Sequence, residues 1–451
     1  MKAQCKTSYN LRMSENQSLI ARSLAAVWHP CTQMKHHEHY PLTPIVRGEG
    51  VWLYDADGKR YLDTVSSWWV NLFGHNHPAI KEAIKQQLDT LEHVMLAGFT
   101  HAPVVELSEQ LAKLTGLGHA FYASDGASAT EIALKMSFHY WRNTGHPNKS
   151  KFISLQNSYH GETLGALGVT DVAIFKDTYA PLLMQSAQMP SPDFRLADAG
   201  ETEEQFALRC VEALETYIAA HHDELAAFII EPLVQCAAGM GMYHPVYLKR
   251  AREICTEYQV HLIADEIAVG FGRTGKMFAT EHAAPKVSDI ADFVCLSKGI
   301  TGGYLPLSVV LTTDEIYQAF YDDRTVKGFL HSHSYTGNPL ACSAALATLA
   351  LFEQTSVMQA NQAASQYIQD KMQVLTHLPI QYLRHHGMIH AFDVQTQNAQ
   401  FSRDCYAAGL AKGLLLRPIG NTVYFMPPYV ISTDEIDWMV EQTALVVEQT
   451  L

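Results

Sequence analysis

A lysine that closes an apolar strand pattern points to chemistry, because an unpaired ammonium is costly to bury unless it is neutralised or used covalently. Lys298 is such a residue: ADFVCLSK (291–298) runs apolar up to it, and GITGGYLPLS behind it is small and turn-prone, leaving room for a bulky group beside the ε-amine. A primary amine in that setting forms imines with carbonyl carbons. A strand end that simply reaches solvent is the other reading. Asp265 ends a second apolar run, HLIAD, where a carboxylate needs a cation or several hydrogen bonds. A protonated pyridine nitrogen would serve, since an acid held against it keeps the ring positive and makes it an electron sink. Capping of the next turn is the alternative.

Two loops complete the set. In YASDGASATE (122–131), Gly126 and small residues precede a helical pattern that runs to about Trp141. Backbone N–H groups at a helix start cradle a phosphate, although SDGA also makes an N-cap with no ligand. NSYHGET (157–163) follows the strand KFISL and offers Tyr159, with His160 beside it and a glycine that permits close approach. Its ring either stacks on a planar heterocycle or packs half-buried in the loop. A phosphate cradle, a stacking ring, a pyridinium acid and an imine-forming lysine thus occur in one chain order.

The elements that must position these residues are short apolar strands alternating with helices. KFISL (151–155), LAAFIIE (225–231), VHLIADE (260–266) and ADFVCLSK (291–298) are the strand candidates, and Pro245 to Tyr258 is a helix between two of them. Runs this continuous suit strands covered on both faces, hence a mostly parallel sheet with helices outside. Ligands of such sheets sit at the strands' carboxyl ends, which singles out Glu231, Asp265, Glu266 and Lys298. Before this region, VWLYDADGKRYLD reads as a hairpin turning at Asp57-Gly58. Helical spacing follows, with Ile80, Ala83, Ile84 and Leu88 on one face and Val105, Leu107, Leu111 and Leu114 on the next. After the last motif, residues 346–451 contain their own helices and a strand-like TVYFM. The organisation expected is a segment 1–75 contributing to a smaller domain, a large domain 76–345, and a smaller domain 346–451.

Bulk properties agree with a globular enzyme. The 451 residues are 47% hydrophobic and 17% charged, and the net charge of −14 argues against a nucleic-acid partner, whose phosphates demand clustered Lys and Arg. Eight cysteines are scattered singly without metal-ligand spacing, so no metal is expected and reduced thiols in a cytoplasm fit best. The start lacks an apolar signal region, and no apolar run is long enough to span a bilayer, so no membrane partner is expected.

Taken together, SYHGET, IIEPLVQCAAGM, IADEIAVGFGRTGKMFA and LSKGITGG resemble the class III (ornithine/GABA-type) aminotransferases within fold type I of the pyridoxal-phosphate enzymes, and the resemblance covers nearly everything from Trp28 onward. It implies an α/β fold: a large domain with a mostly parallel sheet covered by helices, plus a smaller α+β domain built from both chain ends. It implies pyridoxal 5'-phosphate as cofactor, with Lys298, Asp265 and Tyr159 as catalytic residues. Gly126, Ala127, Tyr159, Asp265, Lys298 and Ser334 would bind the cofactor, Ser334 from a neighbouring subunit, which implies a homodimer with shared active sites.

Four further stretches, WHPCTQM (28–34), SSWWVNLFGHNHP (66–78), VMLAGFTHAP (94–103) and LRPIGNTVYFMPPY (416–429), resemble the branch of this class that serves biotin biosynthesis. That branch aminates 7-keto-8-aminopelargonate with S-adenosylmethionine as donor; a sibling reaction with lysine or another ω-amine as donor is the alternative. The resemblance puts Trp68, Cys31, Ser332, Lys298 and Tyr424 at the substrate and Arg417 on the carboxylate of the keto acid. Arg273 matches an arginine near the active site, and Glu162 an acid beside Tyr159. Three positions depart from the usual pattern. Cys31 stands where a tyrosine is usual. SDGASATE replaces DSGSxAxE, removing a hydroxyl at Ala127 and leaving Ser128 or Ser124 to compensate. HSHS replaces HGPT, keeping a hydroxyl at Ser334 but putting His333 in place of a proline.

Overall fold

A computed structural model describes residues 14–40 and 42–451. The first thirteen residues of the 1–75 segment, Cys5 among them, lie outside the described residues.

The apolar runs pair into a seven-stranded sheet. Its strands are β1 (His119–Ala123), β2 (Lys151–Leu155), β3 (Ala187–Met189), β4 (Leu225–Ile230), β5 (His261–Asp265), β6 (Phe293–Leu296) and β7 (Ser308–Thr312). They lie in the order β1-β7-β6-β5-β4-β2-β3. The pairs β6–β5, β5–β4, β4–β2 and β2–β3 are parallel, and β7 alone runs antiparallel to its neighbours β6 and β1. All four strands expected from sequence are present. Strands β1, β3 and β7 were not read from the sequence.

Both faces of the sheet are covered, and the side chains sort between them with the period of two that a strand imposes. Ala227, Ile229, Ile263, Phe293 and Cys295 join one apolar cluster with Ile132, Ala133 and Met136 of the helix Gly126–Asn143. Phe228, Ile230, Leu262, Ala264, Val294 and Leu296 face the other cluster, with the helices Glu203–His221 and Val246–Glu257. Two-sided burial is why these strands read as continuous runs without alternation. The helix Ala102–Thr115 buries Val104, Leu107 and Leu111, whereas the expected Val105 points outward.

The hairpin forms as read, with Trp52–Asp55 antiparallel to Arg60–Asp63, but of its turn residues only Gly58 takes a positive φ, at 87°. Leu414–Leu415 then adds to Arg60–Asp63 as a parallel neighbour, joining the two ends of the chain in one sheet. A separate antiparallel sheet contains Ile380–His386, Ile389–Val394 and Thr422–Phe425. No single helix among the described residues is long and apolar enough to cross a membrane.

The C-terminal sheet is fastened to the main one by partly buried charge. Asp393 receives Arg195 Nη1 at 3.2 Å and Arg384 Nη2 at 2.9 Å, while the Thr422 hydroxyl donates to it at 2.8 Å. The guanidinium groups also donate to the carbonyls of Ala238, Gly239 and Met240, between β4 and the helix Val246–Glu257. Asp393→Ala leaves the largely buried Arg384 without its carboxylate, while Arg195 keeps Asp193 at 2.7 Å, and should lower the unfolding free energy by about 1.5–3 kcal/mol, read from urea denaturation.

Candidate active site

The order of the sheet makes neighbours of residues far apart in sequence. Because β6, β5, β4 and β2 are adjacent and parallel, their carboxyl ends deliver Lys298, Asp265, Glu231 and the loop of Tyr159 and His160 to one edge. A cavity of about 340 Å³ opens there, lined by all five together with Gly126, Ala127 and Trp69. Glu266, the fourth acidic or basic strand end singled out from sequence, turns the other way and accepts the N–H groups of Ala279 at 2.9 Å and Thr280 at 2.7 Å. It caps that turn.

Lys298 follows β6 at φ 44°, in the left-handed region that residues with a Cβ avoid. Its Nζ lies 4.8 Å from the centroid of the Trp69 ring. Burial pushes the amine below the ordinary lysine range, and Cys236, Asp265 and Glu231 pull it back in part. A lysine so placed reaches the neutral, nucleophilic form more readily than one in water.

Asp265 is buried and held from two sides: His160 Nδ1 lies 2.7 Å from Oδ2, and the Ile267 N–H donates to Oδ1 at 3.1 Å. His160 is in turn fixed through its main chain, its N–H donating to the Thr170 hydroxyl at 2.9 Å and its carbonyl accepting the Thr130 hydroxyl at 2.9 Å. The sequence placed His160 only beside Tyr159 and missed its bond to Asp265. A histidine in a loop at a strand's carboxyl end, one residue from a proposed ring, was the available signal. The Tyr159 hydroxyl donates to Glu162 at 2.9 Å, and burial followed by Glu162 raises its pKa.

At the helix start, Asp125 accepts the Ser128 N–H at 2.9 Å and the Ser128 hydroxyl at 3.0 Å. The cap reading is met, since Asp125 accepts from Ser128, and Gly126 and Ala127 at the first helical positions line the cavity. The Ser128 hydroxyl is engaged and does not replace the one missing at Ala127. The surroundings fit a phosphate carried on a flat ring. A Cβ on Gly126 would meet Ile267 at 3.0 Å, and one on Gly161 would meet Ala127 at 2.6 Å, so bulk is kept out on both sides.

A second cavity of about 650 Å³ continues from Lys298, with walls that include Cys31, Trp68, Trp69, Tyr159, Arg417 and Tyr424. Ser66, Ser67, Trp68 and Trp69 all have positive φ, between 47° and 72°, a left-handed turn costing roughly 1–2 kcal/mol per residue. The buried Asp63 holds it, accepting the Ser67 N–H at 2.9 Å and the Ser67 hydroxyl at 2.7 Å, with His75 Nε2 3.0 Å away. The turn splits the tryptophan pair. Trp69 is buried and donates from Nε1 to the Tyr424 hydroxyl at 3.0 Å, while Trp68 remains 42% exposed with the Arg417 guanidinium 4.5 Å over its ring. Arg417 has no acidic partner among the described residues. The Cys31 thiol is raised in pKa by partial burial and by Glu162, and lowered by Arg417.

Three expected residues are not brought in. Arg273 is buried beneath the site, donating to the carbonyls of Pro427 and Asn71, each at 2.9 Å. It braces the segments that carry the second cavity and lines neither cavity. Ser332 and Ser334 lie on an exposed loop and line neither cavity of their own chain.

Residues 33–447 match the family described as aminotransferase class-III. The adenosylmethionine-8-amino-7-oxononanoate aminotransferase of Helicobacter pylori is 47% identical over 94% of this chain and 96% of its own. The enzyme of the same name from Geobacter sulfurreducens is 40% identical, over 92% and 94%. Among solved structures, the enzyme of that name from Methanocaldococcus jannaschii superposes with a TM-score of 0.90 at 35% identity, covering 96% of this chain and 99% of that one. An omega transaminase from Pseudomonas jessenii, in complex with PMP, gives a TM-score of 0.90 at 27% identity, covering 96% and 98%.

The left-handed turn makes Asp63 a testable support. Asp63→Ala strips the Ser67 N–H and hydroxyl, the Val65 N–H and His75 of their buried partner and should cost about 2–4 kcal/mol of stability. Urea denaturation checks the loss, and near-ultraviolet circular dichroism should report the released tryptophan pair.

Proposed function

The chain belongs to the class-III aminotransferases, and from that premise we propose that it converts 7-keto-8-aminopelargonate to 7,8-diaminopelargonate with S-adenosylmethionine as amino donor, a step of biotin biosynthesis. Relatives of that name at 35–47% identity over most of the chain support the reading. The observation that carries it is the second cavity: an aromatic-walled space with the Lys298 amine among its walls, and with Arg417, unpaired by any acid among the described residues, seated on Trp68. A long apolar keto acid with a distant carboxylate suits that arrangement, since a guanidinium is the natural bidentate partner of a carboxylate.

The family is pyridoxal-phosphate-dependent. When bound, that cofactor supplies an aldehyde that condenses with amines and a ring that delocalises charge left at the amine carbon. Lys298 would hold it covalently. Once freed by a donor amine, the Lys298 Nζ would take a proton and return it, and burial, which favours its neutral form, supports that role. Asp265, oriented by His160 and by the Ile267 N–H, would face the ring nitrogen as an acceptor. Gly126 and Ala127 would donate main-chain N–H groups to the phosphate, and Tyr159 would cover a face of the ring.

Tyr424 and Trp69, bonded to each other, form a rigid wall that both substrates must pass. Cys31 puts a small side chain on the cavity wall where the family pattern has a tyrosine, which would leave more space for the bulkier donor. In this reading Ser334 serves a neighbouring subunit, as its exposure on a loop remote from its own cavity suggests, and the enzyme is a homodimer. Unpaired cysteines throughout the described residues suit a reducing cytoplasm.

The protein loaded with pyridoxal phosphate should lose the absorbance band of its lysine-bound cofactor on adding S-adenosylmethionine. Loss of the band with L-lysine or ornithine alone would keep the family and overturn the donor. Lys298→Ala should fold yet give no turnover, and normal activity in it would refute the role of the amine. Arg417→Ala should raise the KM for the keto acid by about 10²-fold, the equivalent of one charge-assisted pair, while the half-reaction with the donor changes less.

A further inference from the structure

Glu231 is a buried carboxyl at the carboxyl end of β4, on the wall of the cofactor cavity, and it has no cation bonded to it. Its two oxygens are divided between two different loops. Oε2 accepts the main-chain N–H of Tyr159 at 3.0 Å, and Oε1 accepts the N–H of Cys236 at 3.2 Å. The first loop carries the ring proposed to cover the cofactor. The second opens the turn Cys236–Ala238, of which Ala237 lines the substrate cavity. Around the carboxyl stand His160, Asp265, Lys298, the Cys236 thiol and Tyr243, whose hydroxyl donates to the main-chain carbonyl of Glu231 at 2.6 Å.

We propose that Glu231 is a positioning residue: in its ionised form it ties the Tyr159 loop to the Cys236–Ala238 turn, so that one carboxylate sets the alignment of both cavities. A carboxylate accepts strongly at both oxygens, whereas in a protonated carboxyl one oxygen becomes a donor and a much weaker acceptor for an amide N–H. Protonation therefore unfastens one loop. Burial and, after the opposing effect of His160, the neighbouring Asp265 push the Glu231 pKa up to about 7, so the exchange of forms falls in an accessible pH range. The sign follows from the raised value. The stability contributed by this group is fully present below the ordinary carboxyl range and is lost as pH rises through 7. Ionisation thus aligns the loops at the expense of folding stability, a trade expected of a residue retained for function.

The coupling of the loops does not depend on the substrate, but its effect on KM rests on the proposed reaction, and the test separates the two. In the full-length protein without cofactor, the hydrogen-exchange protection factor of one of the two amides, Tyr159 or Cys236, should rise at least tenfold between pH 6 and pH 8. In Glu231→Gln, which does not ionise and keeps one acceptor oxygen, the protection of the amide left facing the NH2 group should be low and independent of pH. In the loaded enzyme, the wild-type KM for S-adenosylmethionine should fall about tenfold over that interval relative to the variant. Flat wild-type protection overturns the proposal, even if turnover is normal. If the protection behaves as stated but S-adenosylmethionine gives no turnover, the coupling stands and only the donor assignment fails. A Gln variant that loses thermal stability yet keeps the wild-type protection and KM profiles would confine Glu231 to the core and also overturn it. Should the variant not fold, the pH dependence of wild-type protection decides.

Discussion

Charge buried at the edge of a covered sheet must be satisfied locally, and the site is organised around how this chain satisfies it. Asp265 ends a strand as a buried carboxyl, and its two oxygens go to His160 and to the main chain of Ile267. That choice leaves the carboxylate fixed in direction. It also fixes the loop that carries Tyr159, because His160 is the next residue and is itself held to Thr130 and Thr170. Lys298 lies among the same groups, where desolvation weakens its hold on a proton. A set of residues unfavourable for stability is assembled because the parallel order of β6, β5, β4 and β2 leaves their ends side by side.

The substrate side is built differently, from strained backbone held by buried polar groups. Four successive left-handed residues would not persist in an isolated peptide. They persist here because Asp63, at the end of the hairpin, accepts from Ser67 twice, and because the Ser66 hydroxyl donates to the Met426 carbonyl at 2.7 Å. Segments from both ends of the chain thereby meet at one wall, where Trp69 bonds to Tyr424 and Trp68 lies under Arg417. Arg273, 1% exposed, secures the same meeting from below by bonding to Asn71 and Pro427. It acts on the site through the main chain, which is why a buried guanidinium can sit close to the chemistry without facing it.

The departures from the usual pattern have unequal consequences. At Ala127 a hydroxyl is absent and Ser128 is committed to Asp125, so the donors left at this helix start are main-chain amides, which no substitution other than proline removes. At Cys31 a small thiol lines the cavity in place of a ring, with Glu162 and Arg417 as the charged groups near it. In HSHS the His331 and His333 rings approach to 3.0 Å through their Nε2 atoms, and Lys135 lies 2.7 Å from His331. This hydrogen-bonded run takes the place of a rigid proline in shaping the loop that carries Ser334.

The sequence by itself determined the parallel core, since runs such as LAAFII and HLIAD are apolar on both faces and only a sheet covered twice accommodates them. It also determined the chemical inventory at the strand ends, because Lys298, Asp265 and Glu231 stand out against apolar surroundings. Strands β1 and β7 escaped notice because HAFYA and SVVLT are short and look like ordinary loop-flanked segments until an antiparallel neighbour is supplied. Periodicity also could not separate Glu231 and Asp265, which face the cavity, from Glu266, which caps a turn, since one residue along a strand reverses the side chain. Tertiary structure alone decided that His160 belongs to Asp265, that Asp63 holds the tryptophan turn and that Arg273 braces segments it does not resemble in sequence. Each is a contact between residues distant in the chain, and local pattern carries no information about which buried donor will find which acceptor.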